Sequence, residues 1–536
     1  MTSAWHWTGA EPIMAQPTLR IILVLADPDA IPSWIVRLIE RIGDSYELGI
    51  CAIASPVATR RRKKNNFLFR LLYRLELAAG AGTVSNGSPL LDGVVHDIPR
   101  VLLDDEEALD LLEPDIILDL SGNHGVGIST AVAHHGVWFT DATGSVPGIA
   151  GLRPLIEGRP ISAINLFRRS QVFAMPELIA TAAVNIKFVA ARNENFLEEK
   201  SVTLILRELK RLALGMPIEK PSGTNLFVAP SAPGTIETLS YLGRMAGELV
   251  RRGWQEFTKR FGFRPGMFGL NLTEGNPLKF KPALADAANP PANCFHADPF
   301  LWQMGEETWC FFETFDYRTG LGFISAAQIE SGRLENIRAV LEPGYHLSFP
   351  FLFEHDGQLF MMPESCASHR IELWRCTAFP DRWELHKTVL EGTNAADSTL
   401  AEIDGQWWLF TNIADDPFGD MSSELHLFRA DSPMLENLEP HPLNPVVFDS
   451  RCARNAGRIW EKNGVFYRPA QDNSHGTYGY GLHLMRIEEL TMERYRERSV
   501  RHITPTFKRG IIGCHHIDIL DNRIIFDVRY GYGGRG

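Results

Sequence analysis

Five stretches carry one pattern: Asp298-Pro-Phe-Leu-Trp-Gln-Met-Gly305, Phe349-Pro-Phe-Leu-Phe-Glu-His-Asp-Gly357, Asp397-Ser-Thr-Leu-Ala-Glu-Ile-Asp-Gly405, Asn455-Ala-Gly-Arg-Ile-Trp-Glu-Lys-Asn-Gly464 and His515-His-Ile-Asp-Ile-Leu-Asp-Asn522. Each reads as a strand and a tight turn. A second apolar strand follows in every copy: Thr308 to Phe312, Gln358 to Met362, Gln406 to Phe410, Val465 to Arg468 and Arg523 to Asp527. The copies recur about every fifty to sixty residues, the length of a four-stranded propeller blade, so their number counts blades. The spacing predicts an all-β, five-bladed β-propeller over 291–536.

Toward the N-terminus the texture changes. Leu19 to Leu25 is a buried-strand run, Asp27-Pro28-Asp29 is a turn, and Trp34, Leu38, Ile39 and Ile42 recur at helical spacing. Leu48 to Ala54, Asp115 to Leu120, Gly136 to Thr140 and Ile161 to Phe167 are further strands. Asp105 to Leu112, Ile128 to His134 and Lys200 to Leu214 are expected helices. Strands alternating with helices imply a mostly parallel sheet, hence an α/β, Rossmann-like domain over 19–215 behind an N-terminal tail, 1–18. Residues 216–290, with Pro, Ser, Gly and Thr at 220–233 and a helical stretch from Ile236 to Arg252, read as a linker and lead-in segment.

Composition narrows the function. The 536 residues are 45% hydrophobic and 22% charged, which describes a globular chain. With 53 Lys and Arg against 65 Asp and Glu the net charge is −12, the wrong sign for a general binder of nucleic-acid backbone. The seven cysteines show no C-x-x-C spacing, so reduced thiols are expected. Neither a secretory leader nor a membrane span is legible, and a cytoplasmic location is the expectation. The basic run Arg60-Arg61-Arg62-Lys63-Lys64, ahead of Phe67, Leu68, Leu71, Leu72 and Leu75, is either a solvated helix start or a contact for an acidic membrane surface.

In a propeller the inner strands line one axis, so equivalent polar positions converge although they are distant in sequence. The residues opening the first strands are Asp298, Phe349, Asp397, Asn455 and His515. Those closing the second strands are Glu313, Glu364, Asn412, Gln471 and Arg529. Singly these are strand-end residues. Together, carboxylates beside His515, His516 and Arg529 would have pKa values driven apart, as glycosidic-bond chemistry requires of its acid and its base. His346, just ahead of blade two, is a further channel candidate. Trp302, Trp309, Phe312, Trp407, Trp408 and Phe466 can stack on sugars, but strand periodicity makes them core. No His pair at helix or hairpin ligand spacing stands out, so no transition-metal site is expected.

The segment His296 to Trp408, with Ala297-Asp298-Pro299, Tyr345-His-Leu-Ser-Phe349 and Gly405-Gln-Trp-Trp408, resembles the propeller at the N-terminus of glucosamine inositolphosphorylceramide transferases. That domain is similar in turn to the five-bladed arabinanase and arabinofuranosidase glycoside hydrolases. The resemblance implies that Asp298, in its A-D-P motif, is the base. By repeat register Glu364 stands for the acid and Asp397 for the carboxylate that tunes pKa, while blade two opens with Ser348-Phe349. The N-terminal domain resembles the formyltransferase N-terminal fold through its Pro147-Gly-Ile-Ala-Gly151 loop. However, Phe139-Thr-Asp-Ala-Thr143 lacks the Asn and His of that chemistry, and Pro176-Glu177 brings no Asp, so formyl transfer is not expected. The turn Ser121-Gly-Asn123-His124-Gly125 either holds a ligand or cofactor at the strand ends or is an ordinary loop, and the sequence does not name that cofactor.

The expected function is a carbohydrate-active protein of cell-surface glycan or glycolipid biosynthesis. It would make or break a glycosidic bond with Asp298, Glu364 and Asp397, and Glu313, His346, Asn412, Asn455, Gln471, His515, His516 and Arg529 would orient a carbohydrate or nucleotide sugar. The alternative is a non-catalytic glycan-binding module with a degenerate formyltransferase-like domain.

Overall fold

The computed structural model describes residues 19–56, 66–81, 98–144, 146–173, 175–219, 221, 227–228, 231–259, 266–291 and 293–531. These form two compact units. One runs through Leu249 and includes Asp416–Phe418; the other comprises Val250–Asp415 and the chain from Gly419. The basic run Arg60 to Lys64 and the tail 1–18 lie outside the described residues.

The first unit is built on a seven-stranded mixed sheet. Its strands are β1 (Leu19–Val24), β2 (Leu48–Ser55), β3 (Arg100–Leu102), β4 (Ile116–Asp119), β5 (Val137–Thr140), β6 (Ile161–Arg169) and β7 (Glu177–Asn185), in the order β3-β2-β1-β4-β5-β6-β7. Pairing is parallel from β3 to β5 and antiparallel for β6 and β7. Ile21 to Val24 are fully buried, because a parallel strand covered on both faces needs an unbroken apolar run. The helices are α1 (Ser33–Gly43), α2 (Phe67–Ala78), α3 (Glu106–Leu111), α4 (Ile149–Glu157), α5 (Ala190–Ala213) and α6 (Thr235–Lys259). The Asn66 side chain caps α2 by accepting from Leu68 N, and Asp105 caps α3 by accepting from Ala108 N. α2 buries Phe69 and Leu72 and exposes Phe67, Leu71 and Leu75.

Two expectations are corrected here. Residues 128–134 are not helical, since Gly125, Gly127 and Gly136 all take positive φ and the β4–β5 connection runs irregularly while still burying Ala133 beside Ile117 and Val137. The segment 216–290 is more than a linker. It contains α6, whose Tyr241 is buried within the first unit, and two propeller strands.

The second unit is the predicted propeller of five blades. Blade one is Cys294–Met304, Glu307–Asp316, Leu321–Glu330 and Arg333–Leu341. Blade two runs from Ser348 to Val389, blade three from Ala395 to Phe448 and blade four from Trp460 to Ile503. Blade five joins Ile511–Gly513, Ile517–Leu520 and Arg523–Tyr530 from the C-terminal end to Met267–Glu274 and Asp286–Ala288, Tyr530 pairing with Met267 and Arg523 with Glu274. A ring of blades must close, and lending early strands to the last blade removes the open edges. Phe300, Phe311, Phe349, Phe351 and Leu352 pack between the first blades, each burial worth about 1.5–3 kcal/mol. Trp309, Phe312 and Trp408 are buried in such layers and Trp302, Trp407 and Phe466 pack against them, as their periodicity predicts.

Candidate functional site

The first strands of blades one, two and three break register at the same place: between Ala297 and Phe300, Ser348 and Phe351, and Ala396 and Thr399. The residue after each break, Asp298, Phe349 or Asp397, has φ of 51°, 46° or 46°. A non-glycine residue in this left-handed region costs on the order of 1–3 kcal/mol, and a bulge re-aims its side chain. Opposite, Ala297 pairs with Glu313, Ser348 with Glu364 and Ala396 with Asn412, so each bulge stands beside the polar residue that closes the second strand.

Asp397 is the most heavily bonded member. Arg454 Nε donates to its Oδ2 at 2.6 Å and Gln471 Nε2 donates to the same oxygen at 2.9 Å, while Arg454 Nη2 lies 3.3 Å from Asp397 Oδ1 and from Glu364 Oε2. Asn455 Nδ2 donates to the carbonyls of Asp397 and Phe410 and its amide N donates to Asn412 Oδ1, whose own Nδ2 donates to the carbonyls of Glu424 and Ala453. Gln471 and Asn455 thus brace Asp397 directly, and Asn412 braces Asn455. A second ion pair lies alongside: His515 Nδ1 to Asp527 Oδ2 at 2.6 Å, with His515 Nε2 3.7 Å from Asp298 Oδ1. Asp527 Oδ1 also accepts from the backbone N–H of His515 and of His516.

These contacts separate the protonation states. Burial pushes Glu364 well above the ordinary carboxylate range, the Asp397 charge adds to this, and Arg454 opposes it. Burial would raise Asp397 too, but Arg454 and a hydrogen bond from Glu364 outweigh it and hold Asp397 low. Burial, moderated by His515, brings Asp298 to about 7. Glu313 is raised by burial and by the neighbouring carboxylates. His515 overcomes its burial through Asp527 and Asp298 and is raised, while Asp527 is lowered despite burial by His515. The cluster thus combines two ion pairs, Arg454–Asp397 and His515–Asp527, two glutamic acids raised above the ordinary carboxylate range, and Asp298 at about 7.

His346 and Glu313 meet over Gly322: His346 Nδ1 accepts from Gly322 N at 2.9 Å, and Nε2 stands 3.6 Å from Glu313 Oε1. Two predicted residues have other surroundings. His516 is enclosed by Phe300 and Phe349 and kept neutral by burial, at about 3, with no hydrogen-bond partner for its ring nitrogens among the described residues. Arg529 lies over Phe268 and donates to the Tyr478 carbonyl, and its guanidinium makes no ion pair with the carboxylates among the described residues. Sequence reading passed over Arg454, Asp527 and Tyr478, whose ring lies 5.2 Å from the Arg454 guanidinium. Arg454 adjoins the predicted Asn455. Asp527 stands two residues before Arg529, on the same strand face, where the other blades carry Phe311, Met362, Phe410 and Pro469.

In the first unit, a cavity of about 400 Å³ lies at the C-terminal strand ends, lined by Val24, Pro56, Leu103, Ser121, Asn123 and Gly127 among others. β1 is flanked there by β2 and β4, the place where open α/β sheets bind ligands. His124 does not line it. Its ring packs on Phe139 and Phe227 and Nε2 bonds the Thr143 carbonyl, while Asp119 shapes the loop by accepting from Ser121 N and Gly125 N.

Residues 275–519 match the family described as "Glucosamine inositolphosphorylceramide transferase 1, N-terminal". Curated relatives agree over the same half of the chain. Glucosamine inositolphosphorylceramide transferase 1 of Oryza sativa subsp. japonica is 36% identical over 237 residues, 42% of this chain and 31% of the relative. That of Arabidopsis thaliana is 34% identical over 238 residues, 43% of this chain and 31% of the relative. The match therefore spans about a third of the length of these relatives. Among solved structures, a family 117 glycoside hydrolase from Zobellia galactanivorans has a TM-score of 0.33 at 10% identity, covering 49% of this chain and 91% of that one. An α-L-arabinofuranosidase from Lactobacillus brevis has a TM-score of 0.33 at 12% identity, covering 45% and 86%.

Proposed function

We propose that this is a carbohydrate-active protein of cell-surface glycan or glycolipid biosynthesis that makes or breaks a glycosidic bond at the propeller channel. One observation carries the reading. Arg454 holds both Asp397 and Glu364, burial and the Asp397 charge raise Glu364 while Arg454 keeps Asp397 low, and Asp298, at about 7, feels the Asp397 charge. Carboxyl groups flanking a scissile bond stand about 5–9.5 Å apart, so a pair already in hydrogen-bond contact acts as one proton-holding unit and not as acid and base across the bond. Glu364 gives its proton to the leaving oxygen, Asp397 and Arg454 set its acidity, and Asp298 takes the proton of the attacking hydroxyl. The relatives named as glucosamine inositolphosphorylceramide transferases support the carbohydrate part of this reading through the matched propeller.

The second reading, a glycan-binding module, is favoured by blade four. At the register of Asp298 and Asp397 it supplies Asn455, and beside it the cation Arg454 rather than a further carboxylate. A screen of glycosides and nucleotide sugars with the wild type and Asp298→Asn separates the two. Bond chemistry requires turnover that falls by about 10²–10⁴-fold in the variant, the range for loss of a general base. Turnover unchanged by the substitution overturns the mechanism, and saturable binding without turnover selects the binding module.

A further inference from the structure

Blade four carries a cluster outside the channel. Asp472 ends its second strand, His483 lies in the third (Gly481–Leu490) and His502 in the fourth (Tyr495–Ile503), where His483 and His502 are direct cross-strand partners. We propose that Asp472, His483 and His502 bind a divalent transition-metal ion of the zinc type and thereby clamp the root of loop 473–480.

The donor set suits such an ion: two imidazoles and one carboxylate, each offering a ligand atom within 4.8 Å of the others. Asp472 is 3% exposed; its Oδ2 accepts from His502 Nε2 at 2.9 Å, and its Oδ1 makes no hydrogen bond of good geometry among the described residues, although the adjacent Ser474 side chain stands near the carboxylate. A buried carboxylate oxygen without a donor is costly, and a cation would satisfy it. His483 is held for ligation by its outer partner. The Ser499 hydroxyl faces the Arg501 carbonyl as donor, so His483 Nδ1–H donates to Ser499 Oγ at 2.7 Å and the lone pair is left on Nε2. The two rings stack at 3.9 Å and 10°. Tetrahedral ligand atoms stand about 3.4 Å apart at zinc distances, so the site closes by small turns of the two rings. Gly481, opposite Asp472, leaves the room: a Cβ there would lie 3.2 Å from His502 Nε2 and 2.7 Å from the Ile503 carbonyl oxygen.

The ion takes the place of the hydrogen between His502 Nε2 and Asp472 Oδ2, and the imidazole ligates as the neutral ring with its one N–H on Nδ1. Three protein ligands leave a fourth position for water. Because Tyr480 N donates to the Asp472 carbonyl and Tyr478 stands under Arg454 and edge-on to His515 at 5.3 Å, the ion would stiffen a loop that frames the channel.

The test is titration of the chelator-stripped full chain with zinc chloride by calorimetry, in two buffers of different ionisation enthalpy. Expected are one ion per chain in the micromolar range or tighter, and a rise in Tm. His502→Gln, on the outermost strand with a side chain 37% exposed, should weaken binding by at least about 10–100-fold and abolish the Tm rise. His483→Gln should do the same. The channel trio Asp298, His515 and Asp527 also has ligand spacing, so Asp298→Asn is the control and should leave zinc binding in place. No zinc binding, or binding lost in Asp298→Asn and kept in both histidine variants, overturns the proposal.

Discussion

Each unit of this chain buries carboxylates: in the first unit Glu199 and Glu208 pair with arginines, but two others, Glu194 and Glu76, contrast with the acids of the propeller. In the first unit Glu194 accepts from Gly148 N at 2.8 and 2.7 Å and from the Tyr73 hydroxyl at 2.5 Å, and Glu76 accepts from the Tyr241 hydroxyl at 2.6 Å and from Ala191 N at 3.0 Å. Each of these donors is neutral. Both acids are raised by burial, Glu194 to about 7, and they tie α2, α4, α5 and α6 together. In the propeller cluster the carboxylates face cations and one another, so Asp397 and Asp527 go down while Glu364, Glu313 and Asp298 go up. Neutral donors make a buried acid a structural bolt. Mixed charge makes a set of unlike acids, which is what proton transfer uses.

If this contrast is right, removing the central cation should damage the channel far more than any comparable change in the bolt. Arg454→Met leaves Asp397 and Glu364 buried without their guanidinium. The expected cost is about 3–5 kcal/mol, read from chemical denaturation of the propeller, together with loss of saturable sugar binding. A loss below 1 kcal/mol would place Arg454 outside the network. A steric change tests the channel without touching a charge: an alanine Cβ at Gly322 would lie 2.5 Å from Glu313 Oε1, 2.6 Å from His346 Cε1 and 2.7 Å from the Leu347 carbonyl oxygen. Gly322→Ala should destabilise by about 1–3 kcal/mol and weaken ligand binding in the same variant, whereas unchanged binding would separate His346 and Glu313 from the site.

The smallest expected effect concerns the bolt and its pH dependence. Glu194 titrates at about 7 when folded against roughly 4.3 unfolded, so between those values the folded chain holds the extra proton. Stability should therefore be full below the unfolded value, decline as pH rises through the window and level off above about 7. Glu194→Gln cannot ionise and should flatten this decline by on the order of 2 kcal/mol, measured by hydrogen exchange of α5 amides between pH 5 and 8. An unchanged slope would mean that Glu76 or another group governs it.

Much of the propeller was legible because its period is local. Turns such as Asp356-Gly357 and Asp404-Gly405 recur at blade spacing, and the residues just before the paired second strands end, Glu313, Glu364, Asn412 and Gln471, follow from strand register. The same logic found Asp298 and Asp397. It failed where the partner is far along the chain or the geometry is irregular. The strand Met267–Glu274 belongs to the fifth blade only through ring closure, and residues 128–134 have helical apolar spacing but sit between glycines at positive φ. Counting from the turn chose Arg529, while burial beside His515 selects Asp527, two residues earlier.

The sequence by itself determined the number of blades, the alternation of strand and helix in the first unit and the polar positions that open and close each inner strand, because hydrophobic period and turn chemistry act over a few residues. Which of those polar groups are ionised was decided by tertiary structure alone. Arg454 is 57 residues from Asp397 and 90 from Glu364, and His515 is 217 from Asp298. A carboxyl's charge state depends on its desolvation and on the cations within a few ångströms, and in a ring of blades those neighbours come from chain segments that no local pattern connects.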